Sequence, residues 1–359
     1  MTAGTEAGWQ PLPVEIGSDE LRAWSARIPL PVAVTGASGF VGSHVLEALW
    51  RAGIRPRILA RDMRKLCLAD IAEDEVVIGD LDDGGALRQL VAGSRVVVHL
   101  AGVVRAPSAA RFDRANRVGT ENLVAAMTAV APEASLVHAS SLAAAGPSAD
   151  PAGVAPEDPA RPVSAYGRSK LAGEAAVRAF AGRWTILRPP SVYGPRDIDV
   201  LQFFRLAARG VVPVPAGERW VSVAHVADVV RAILAAAGGS GAGRVLHLGE
   251  PEVYRITDLI ELIAAAGGVR ARTVPLPPAV IRTAGLGGDL LQRLGRRRVA
   301  LTSDKAREMV AGNWTARSAD SLAALGLTGC VPFRDGARAT WEWYRRAGWV
   351  PRAKMPRPY

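Results

Sequence analysis

Tyr166 and Lys170 stand four positions apart in the stretch Tyr166-Gly167-Arg168-Ser169-Lys170. On a helix that spacing puts both side chains on one face. A phenol with an ordinary pKa of about 10 is a poor acid–base catalyst at neutral pH. A neighbouring ammonium favours the phenolate and draws that pKa toward a useful range. The pair is therefore suited to moving a proton on and off an oxygen. The spacing alone is common and fits an exposed helical pair equally well. It gains meaning from Ser140-Ser141, which closes an apolar run upstream and supplies hydroxyls.

A second group, Val34-Thr35-Gly36-Ala37-Ser38-Gly39-Phe40-Val41-Gly42, follows a short apolar run and opens a helical stretch. That is the context in which three spaced glycines form a dinucleotide fingerprint. Gly36 permits the tight turn, Gly39 lets the backbone approach a pyrophosphate, and Gly42 lets the helix pack closely on the strand. The helix N-terminus, flanked by Ser38, Phe40 and Val41, then meets the phosphate charge. A dinucleotide dock beside an acid–base pair means hydride chemistry at a carbon–oxygen bond, with a nicotinamide as the carrier.

The end of the second apolar run bears on which nicotinamide cofactor. An acidic residue there accepts hydrogen bonds from the adenosine ribose of NAD(H). The chain instead has Leu59-Ala60-Arg61-Asp62-Met63-Arg64-Lys65. Arg61, helped by Arg64 or Lys65, can clamp a 2′-phosphate through charge-assisted hydrogen bonds, which favours NADP(H). Asp62 competes, since a shift of one residue restores a carboxylate of the NAD(H) type. Further on, Asp80 and Leu81 can flank adenine, and Leu100-Ala101-Gly102 are small enough to let the chain pass close to the cofactor. His99, just before them, reads as a packed strand histidine.

The elements that must position these residues follow from periodicity. Pro31–Val34, Arg57–Ala60, Val76–Gly79, Val96–Leu100, Ser135–Ala139 and Trp184–Leu187 read as strands, with a helix over Gly39–Ala52 after the first. Short apolar strands separated by helices predict an α/β fold of the Rossmann type, a doubly wound parallel sheet. After Gly194 the pattern loosens. Val200–Arg209 reads as a helix, Gly210–Pro215 as irregular, His225–Ala237 as a helix returning to the sheet and Arg244–Leu248 as one more strand. Thr257–Ala266 and Pro277–Leu294 are predicted helices, and Trp314, Trp341, Trp343, Tyr344 and Trp349 mark a small aromatic lobe. The expected organisation is a polar N-terminal extension over 1–27 and a dinucleotide-binding domain over 28–190, to which 220–249 returns. A smaller, interleaved substrate domain takes 191–219 and 250–359.

Composition narrows the class. The chain has 359 residues, 49% of them hydrophobic, enough for one large core or two ordinary ones. No apolar run reaches the roughly 18 residues of a membrane span, and the N-terminus lacks a signal-peptide core. The net charge of +10 is carried almost wholly by arginines that are scattered along the chain, and no nucleic-acid-binding module is recognisable. Cys67 and Cys330 fit no metal spacing and read as reduced thiols, so the expected location is cytoplasmic and no metal is expected.

At this point the chain resembles the extended short-chain dehydrogenase/reductase family from Pro31 to about Val350. The family's glycine motif matches Thr35 to Gly42, its adenine-side acid matches Asp80, and its small-residue strand end matches Leu100-Ala101-Gly102. Asn116-Arg117-Val118-Gly119-Thr120 matches its helix motif, where the asparagine supports the active site. Arg188-Pro189-Pro190-Ser191-Val192-Tyr193-Gly194-Pro195 is similar to the loop beside the nicotinamide, which brings in Pro189 and Val192. The segment from Val221 to Val229 is similar to the family's return segment. The resemblance implies a catalytic set of Ser141, Tyr166, Lys170 and Asn116, with Ser141 preferred to Ser140 because of its placement before Gly146. Tyr166 is then the acid/base, Lys170 tunes it and holds the ribose, and Ser141 orients the carbonyl.

Within that family, dehydratases of nucleotide sugars carry an Asp-Glu pair after the catalytic serine or threonine. This chain has Leu142-Ala143-Ala144-Ala145 there, which argues against dehydration. The Arg61-Asp62 turn resembles reductases of the dihydroflavonol and steroid type, the C-terminal segment resembles a bacterial steroid-dehydrogenase-like branch, and Phe203-Phe204 places apolar residues where the substrate domain begins. The expected substrate is an apolar ketone or alcohol, such as a 3-oxo-sphingolipid, a ceramide or a 3-ketosteroid. Leu276–Leu294, ending near Arg296-Arg297-Arg298, is a candidate for peripheral contact with the inner face of an anionic membrane. A nucleotide-sugar epimerase or oxidoreductase is the alternative, with Arg205, Arg209 and Arg219 available to a diphosphate. A non-catalytic dinucleotide-binding subunit is the third reading, and a homodimer is expected by resemblance only.

Overall fold

A computed structural model describes residues 16–67, 71–294, 299 and 301–350. The β-branched runs form strands at Val32–Thr35 (β1), Arg57–Ala60 (β2), Val76–Ile78 (β3), Val96–His99 (β4), Ser135–Ala139 (β5) and Trp184–Arg188 (β6). With Val245–His247 they make one parallel seven-stranded sheet, in the order Val245–His247, β6, β5, β4, β1, β2, β3. Thr35 lies opposite Leu59 on one side and His99 on the other, so β1, β2 and β4 end nearly level. The strand order reverses between β1 and β4, which opens a crevice at the carboxyl ends of the strands.

Helices cover both faces, which is why the inner strands read as continuous apolar runs. Phe40–Arg51 and Val226–Ala237 bury Val45, Leu46, Leu49, Val229 and Ile233 on one side. Gly84–Val91, Gly119–Val130 and Ala165–Arg178 bury Leu87, Leu90, Leu123, Met127 and Val177 on the other. Within the N-terminal stretch read as a polar extension, Ser18–Ser25 is a helix. Its Leu21 and Trp24 join the first of these cores beside Val226–Ala237. Two apolar residues three apart in a polar setting give too little periodicity to be seen in sequence. Residues 1–15 of that extension lie outside the described residues.

A third core holds the aromatic residues. Phe333–Arg346 packs Trp341 and Tyr344 onto Phe204, with ring centroids 5.4 and 5.1 Å apart. Gly210–Pro215, expected to be irregular, contains the strand Val211–Pro215, which pairs in parallel with Arg272–Leu276. Two prolines hid it. A two-stranded sheet is all edge, so their missing N–H groups cost little, and alternation still buries Val212 and Val214.

The predicted helix near the C-terminal basic run spans Pro278–Arg293. Its glycines, which weaken helical propensity, serve close packing: a Cβ at Gly288 would lie 1.8 Å from the Leu301 carbonyl oxygen, and one at Gly285 would lie 2.9 Å from Ala306 Cβ. On other faces Leu286, Leu290 and Leu294 are exposed. Arg296 to Arg298 lie outside the described residues. No described helix is long and apolar enough to cross a membrane.

If the helix Ser18–Ser25 belongs to the core, Leu21→Ala should cost about 2 kcal/mol by loss of buried methyl groups. Urea denaturation checks this through a lower midpoint at unchanged slope.

Candidate active site

The crevice is made by close backbone approach. Gly36 has φ +76°, and a Cβ there would stand 2.5 Å from Ala101 N and 2.6 Å from Leu100 C. Only a hydrogen fits between the ends of β1 and β4. A Cβ at Gly42 would lie 2.0 Å from the Gly36 carbonyl oxygen, so the helix Phe40–Arg51 starts directly on the turn. Gly39 caps that helix without a side-chain partner, leaving its first N–H groups facing the crevice beside exposed Ser38 and half-buried Phe40 and Val41. This cradle fits a dinucleotide pyrophosphate. His99 is fully buried and packed as expected, bonded to Thr35 Oγ1 at 2.7 Å and Thr120 Oγ1 at 3.0 Å. Burial pushes its pKa down to about 3, so it is neutral.

At the end of β2, Arg61 is exposed and has no side-chain partner among the described residues. Asp62 instead accepts from Arg64, through the backbone N at 3.1 Å, Nε at 3.0 Å and Nη2 at 3.1 Å. Arg64 is thus paired with Asp62, and Lys65, also exposed, is a further cation beside Arg61. Asp80 is exposed at the end of β3 and accepts from Asp82 N at 2.9 Å. Leu81 packs against Gly119, where a Cβ would come within 2.7 Å of its side chain.

Tyr166 and Lys170 lie on the helix Ala165–Arg178, one turn apart. Lys170 Nζ donates to the Ala139 carbonyl oxygen at 2.7 Å. A Cβ at Gly102 would stand 3.8 Å from Lys170 Nζ and 2.8 Å from Asn116 Oδ1, so the exit of β4, the asparagine and the lysine converge. Asn116 is buried in a single wide π-helical turn, Arg114–Val118, a feature often found at functional sites. Its Nδ2 donates to Val103 O at 3.0 Å and Ser169 Oγ at 2.9 Å, and its Oδ1 accepts from Val103 N at 2.8 Å. It thereby fastens the loop after β4 to the catalytic helix. Pro189 and Val192 are half-buried just beyond β6, on the far side of the crevice.

The two serines part company. Ser141 caps the short helix Leu142–Ala145 and reaches the Tyr166 phenol with its hydroxyl. Ser140 turns away and donates to Glu174 Oε1 at 2.5 Å. Glu174 also takes Nε and Nη2 of buried Arg188, at 2.8 and 2.7 Å. Glu174 extends the face of Tyr166 and Lys170 by one more turn, a signal that the four-residue spacing alone did not flag. Another unforeseen tie joins the loop after Tyr193 to the cofactor helix, through Arg196 Nη2 to Glu47 Oε2 at 2.6 Å and His44 Nε2 to Pro195 O at 2.9 Å.

Lys170 is not among the groups that move the Tyr166 pKa. Burial pushes the phenol up to about 12; the Ser141 hydroxyl opposes this, and the charges of Glu308 and Asp199 add to it. Burial also lowers the Lys170 ammonium to about 8, with Glu174 opposing. The desolvation of a phenolate outweighs an ammonium directed at a strand carbonyl. Tyr166 accordingly keeps its proton at neutral pH.

The mouth of the crevice is bridged by Arg105 Nη2 and Asp199 Oδ1 at 2.7 Å. Their neighbours Val104 and Ile198 are 58% and 60% exposed, which makes the rim apolar on both sides.

A doubly wound sheet with a glycine cradle at its switch point and a Ser–Tyr–Lys group beside it defines a dinucleotide-dependent dehydrogenase or reductase. The chain belongs to the NAD dependent epimerase/dehydratase family, whose model matches residues 32–249, and it is an extended short-chain oxidoreductase of that family. It is 37% identical over 324 residues to a ceramide reductase of Caulobacter vibrioides, covering 89% of this chain and 96% of the relative. It is 27% identical over 356 residues to the 4-hydroxy-2-methyl-3-oxo-4-farnesyl-3,4-dihydroquinoline-1-oxide ketoreductase of Stigmatella aurantiaca, covering 90% and 98%. Among solved structures, MoeE5 in complex with UDP-glucose and NAD matches with a TM-score of 0.69 at 25% identity, over 89% of this chain and 99% of that one.

Because the Gly36–Gly42 contact leaves no room for a methyl group, Gly42→Ala should destabilise the fold by about 2 kcal/mol through overpacking. A thermal melt several degrees below that of the parent checks it.

Proposed function

We propose that the protein is an NADP(H)-dependent reductase of an apolar, lipid-like ketone, with Tyr166 as proton donor. The observation that carries the chemistry is the grouping of Tyr166 and Lys170, one turn apart on the helix Ala165–Arg178, with Ser141 at the start of the adjoining helix Leu142–Ala145. A bound nicotinamide supplies the hydride. Tyr166 gives its proton to the alkoxide as it forms, Ser141 donates to the same oxygen and orients it, and Lys170 holds the ribose. The buried sequence Leu142-Ala143-Ala144-Ala145 offers no second carboxylate for dehydration.

Support for the substrate class comes from the apolar rim at Val104 and Ile198 and from the likeness to a ceramide reductase and to a ketoreductase of a farnesylated quinoline. Support for NADP(H) comes from Arg61, which is unpartnered where a 2′-phosphate would lie, and from Asp62, whose carboxylate is taken by Arg64. Contact with a membrane through Leu286, Leu290 and Leu294 fits the same substrate class. A nucleotide sugar is the second reading. One observation favours it: Arg219 Nε is buried without a partner among the described residues, a cation open to a diphosphate.

The deciding assay is NADPH oxidation by the purified protein with ketosphinganine, oxo-ceramide and a 3-ketosteroid. UDP- and dTDP-sugars are followed beside it by mass spectrometry. Ketone-dependent oxidation is expected; a changed sugar without it transfers the protein to the second reading. Tyr166→Phe should lower turnover by about 100-fold or more, as loss of a general acid does, while the fluorescence-measured Kd for NADPH stays within about twofold. Unchanged turnover would remove Tyr166 from the mechanism. Arg61→Ala should narrow the NADPH-to-NADH preference by about tenfold, the effect of one lost charge-assisted bond. A ratio of kcat/KM values that does not move would assign the preference elsewhere.

A further inference from the structure

The helix Ser303–Val310 lies far from the catalytic helix in sequence yet holds its first turn. Asp304 Oδ1 accepts from Ala165 N at 2.7 Å, and Asp304 Oδ2 accepts from Tyr166 N at 3.1 Å. Ser164 Oγ donates to Glu308 Oε1 at 2.7 Å and accepts from Gly167 N at 2.9 Å. The free N–H groups of the catalytic helix are thus satisfied by two side chains, Asp304 and Ser164, and Glu308 in turn holds the Ser164 hydroxyl. A helix N-terminus carries partial positive charge, so carboxylates suit it.

We propose that Asp304 and Glu308 are positioning residues for Tyr166: Asp304 fixes the backbone from which the phenol projects, and Glu308 holds the Ser164 hydroxyl that caps the next N–H of the same turn. Neither touches the reacting atoms. The charged groups facing Tyr166 are Lys170 on its own helix, Asp199 from the crevice rim, and this pair. Asp199 is paired with Arg105, Asp304 with Arg307 and Glu308 with Lys305. Glu308 also receives no backbone freedom to drift, since its carbonyl accepts from Trp314 Nε1 at 2.9 Å and its side chain is nearly buried. The carboxylate stabilises the protonated phenol, which is the form a reductase needs.

This inference rests on Tyr166 being the proton donor, and the test separates the two. Using the ketone that turns over fastest, kcat, KM and the pH profile are measured for Asp304→Ala, Asp304→Asn and Glu308→Gln, with Tyr166→Phe beside them. Asp304→Ala should lose at least tenfold in kcat with the Kd for NADPH within twofold, and Asp304→Asn, which keeps one acceptor oxygen, should recover part of it. Glu308→Gln should move the alkaline midpoint, a property of the coupled Tyr166–Lys170 pair, to lower pH. The near-isosteric Glu308→Gln keeps the test alive if Asp304→Ala does not fold. Wild-type kcat and an unmoved midpoint in folded variants, with Tyr166→Phe inactive, would overturn the positioning role alone. Wild-type turnover in Tyr166→Phe would overturn the proton-donor assignment beneath it.

Discussion

The structure turns on a buried ion pair. Arg188 and Glu174 are 2% and 0% exposed, and neither charge would survive there unpaired. Each carboxylate oxygen of Glu174 accepts twice, from Arg188 and Ser140 on one side and from Arg188 and Arg178 on the other. Arg188 sits at the end of β6 and Ser140 at the end of β5, while Glu174 lies on the helix that carries Tyr166 and Lys170. One set of hydrogen bonds therefore fixes the distance between the serine strand and the tyrosine helix. Charged partners of this kind leave little slack, because any displacement exposes a bare charge to a low-dielectric interior.

Against that frame, the opposing effects at the site are easy to rank. Proximity of an ammonium to a phenol is a pairwise attraction, whereas desolvation acts on the phenolate wherever protein replaces water around the half-buried Tyr166. Here burial is the larger, and one N–H of the Lys170 ammonium donates to the Ala139 carbonyl. The same ammonium stands at the Gly102 exit of β4.

Much of this was legible in the sequence, and for identifiable reasons. The glycine turn shows itself because backbone approach at Gly36 and Gly42 excludes every side chain, leaving a mark that only glycine can make. Tyr166 and Lys170 show themselves through helical spacing, and the strands through uninterrupted apolar runs. What stayed hidden depends on partners distant in the chain. Asp304 lies 138 residues from Tyr166, and nothing local distinguishes it from a solvated helical aspartate. The strand Val211–Pro215 was hidden by its own prolines, and the helix Ser18–Ser25 by its few apolar residues. Ser141 is preferred to Ser140 by its placement before Gly146, but the partner that turns Ser140 away, Glu174, lies 34 residues on and leaves no local mark.

The grip of Ser303–Val310 on the first turn of the catalytic helix bears on how such proteins can diverge. That helix belongs to the same C-terminal stretch as Pro278–Arg293, and the two interlock through Gly285 and Gly288. Exchanging this stretch for that of a relative, to borrow a new substrate pocket, would also exchange the carboxylates that seat the tyrosine. A chimaera that respects the sheet but cuts before residue 303 would acquire a foreign hand on its own proton donor.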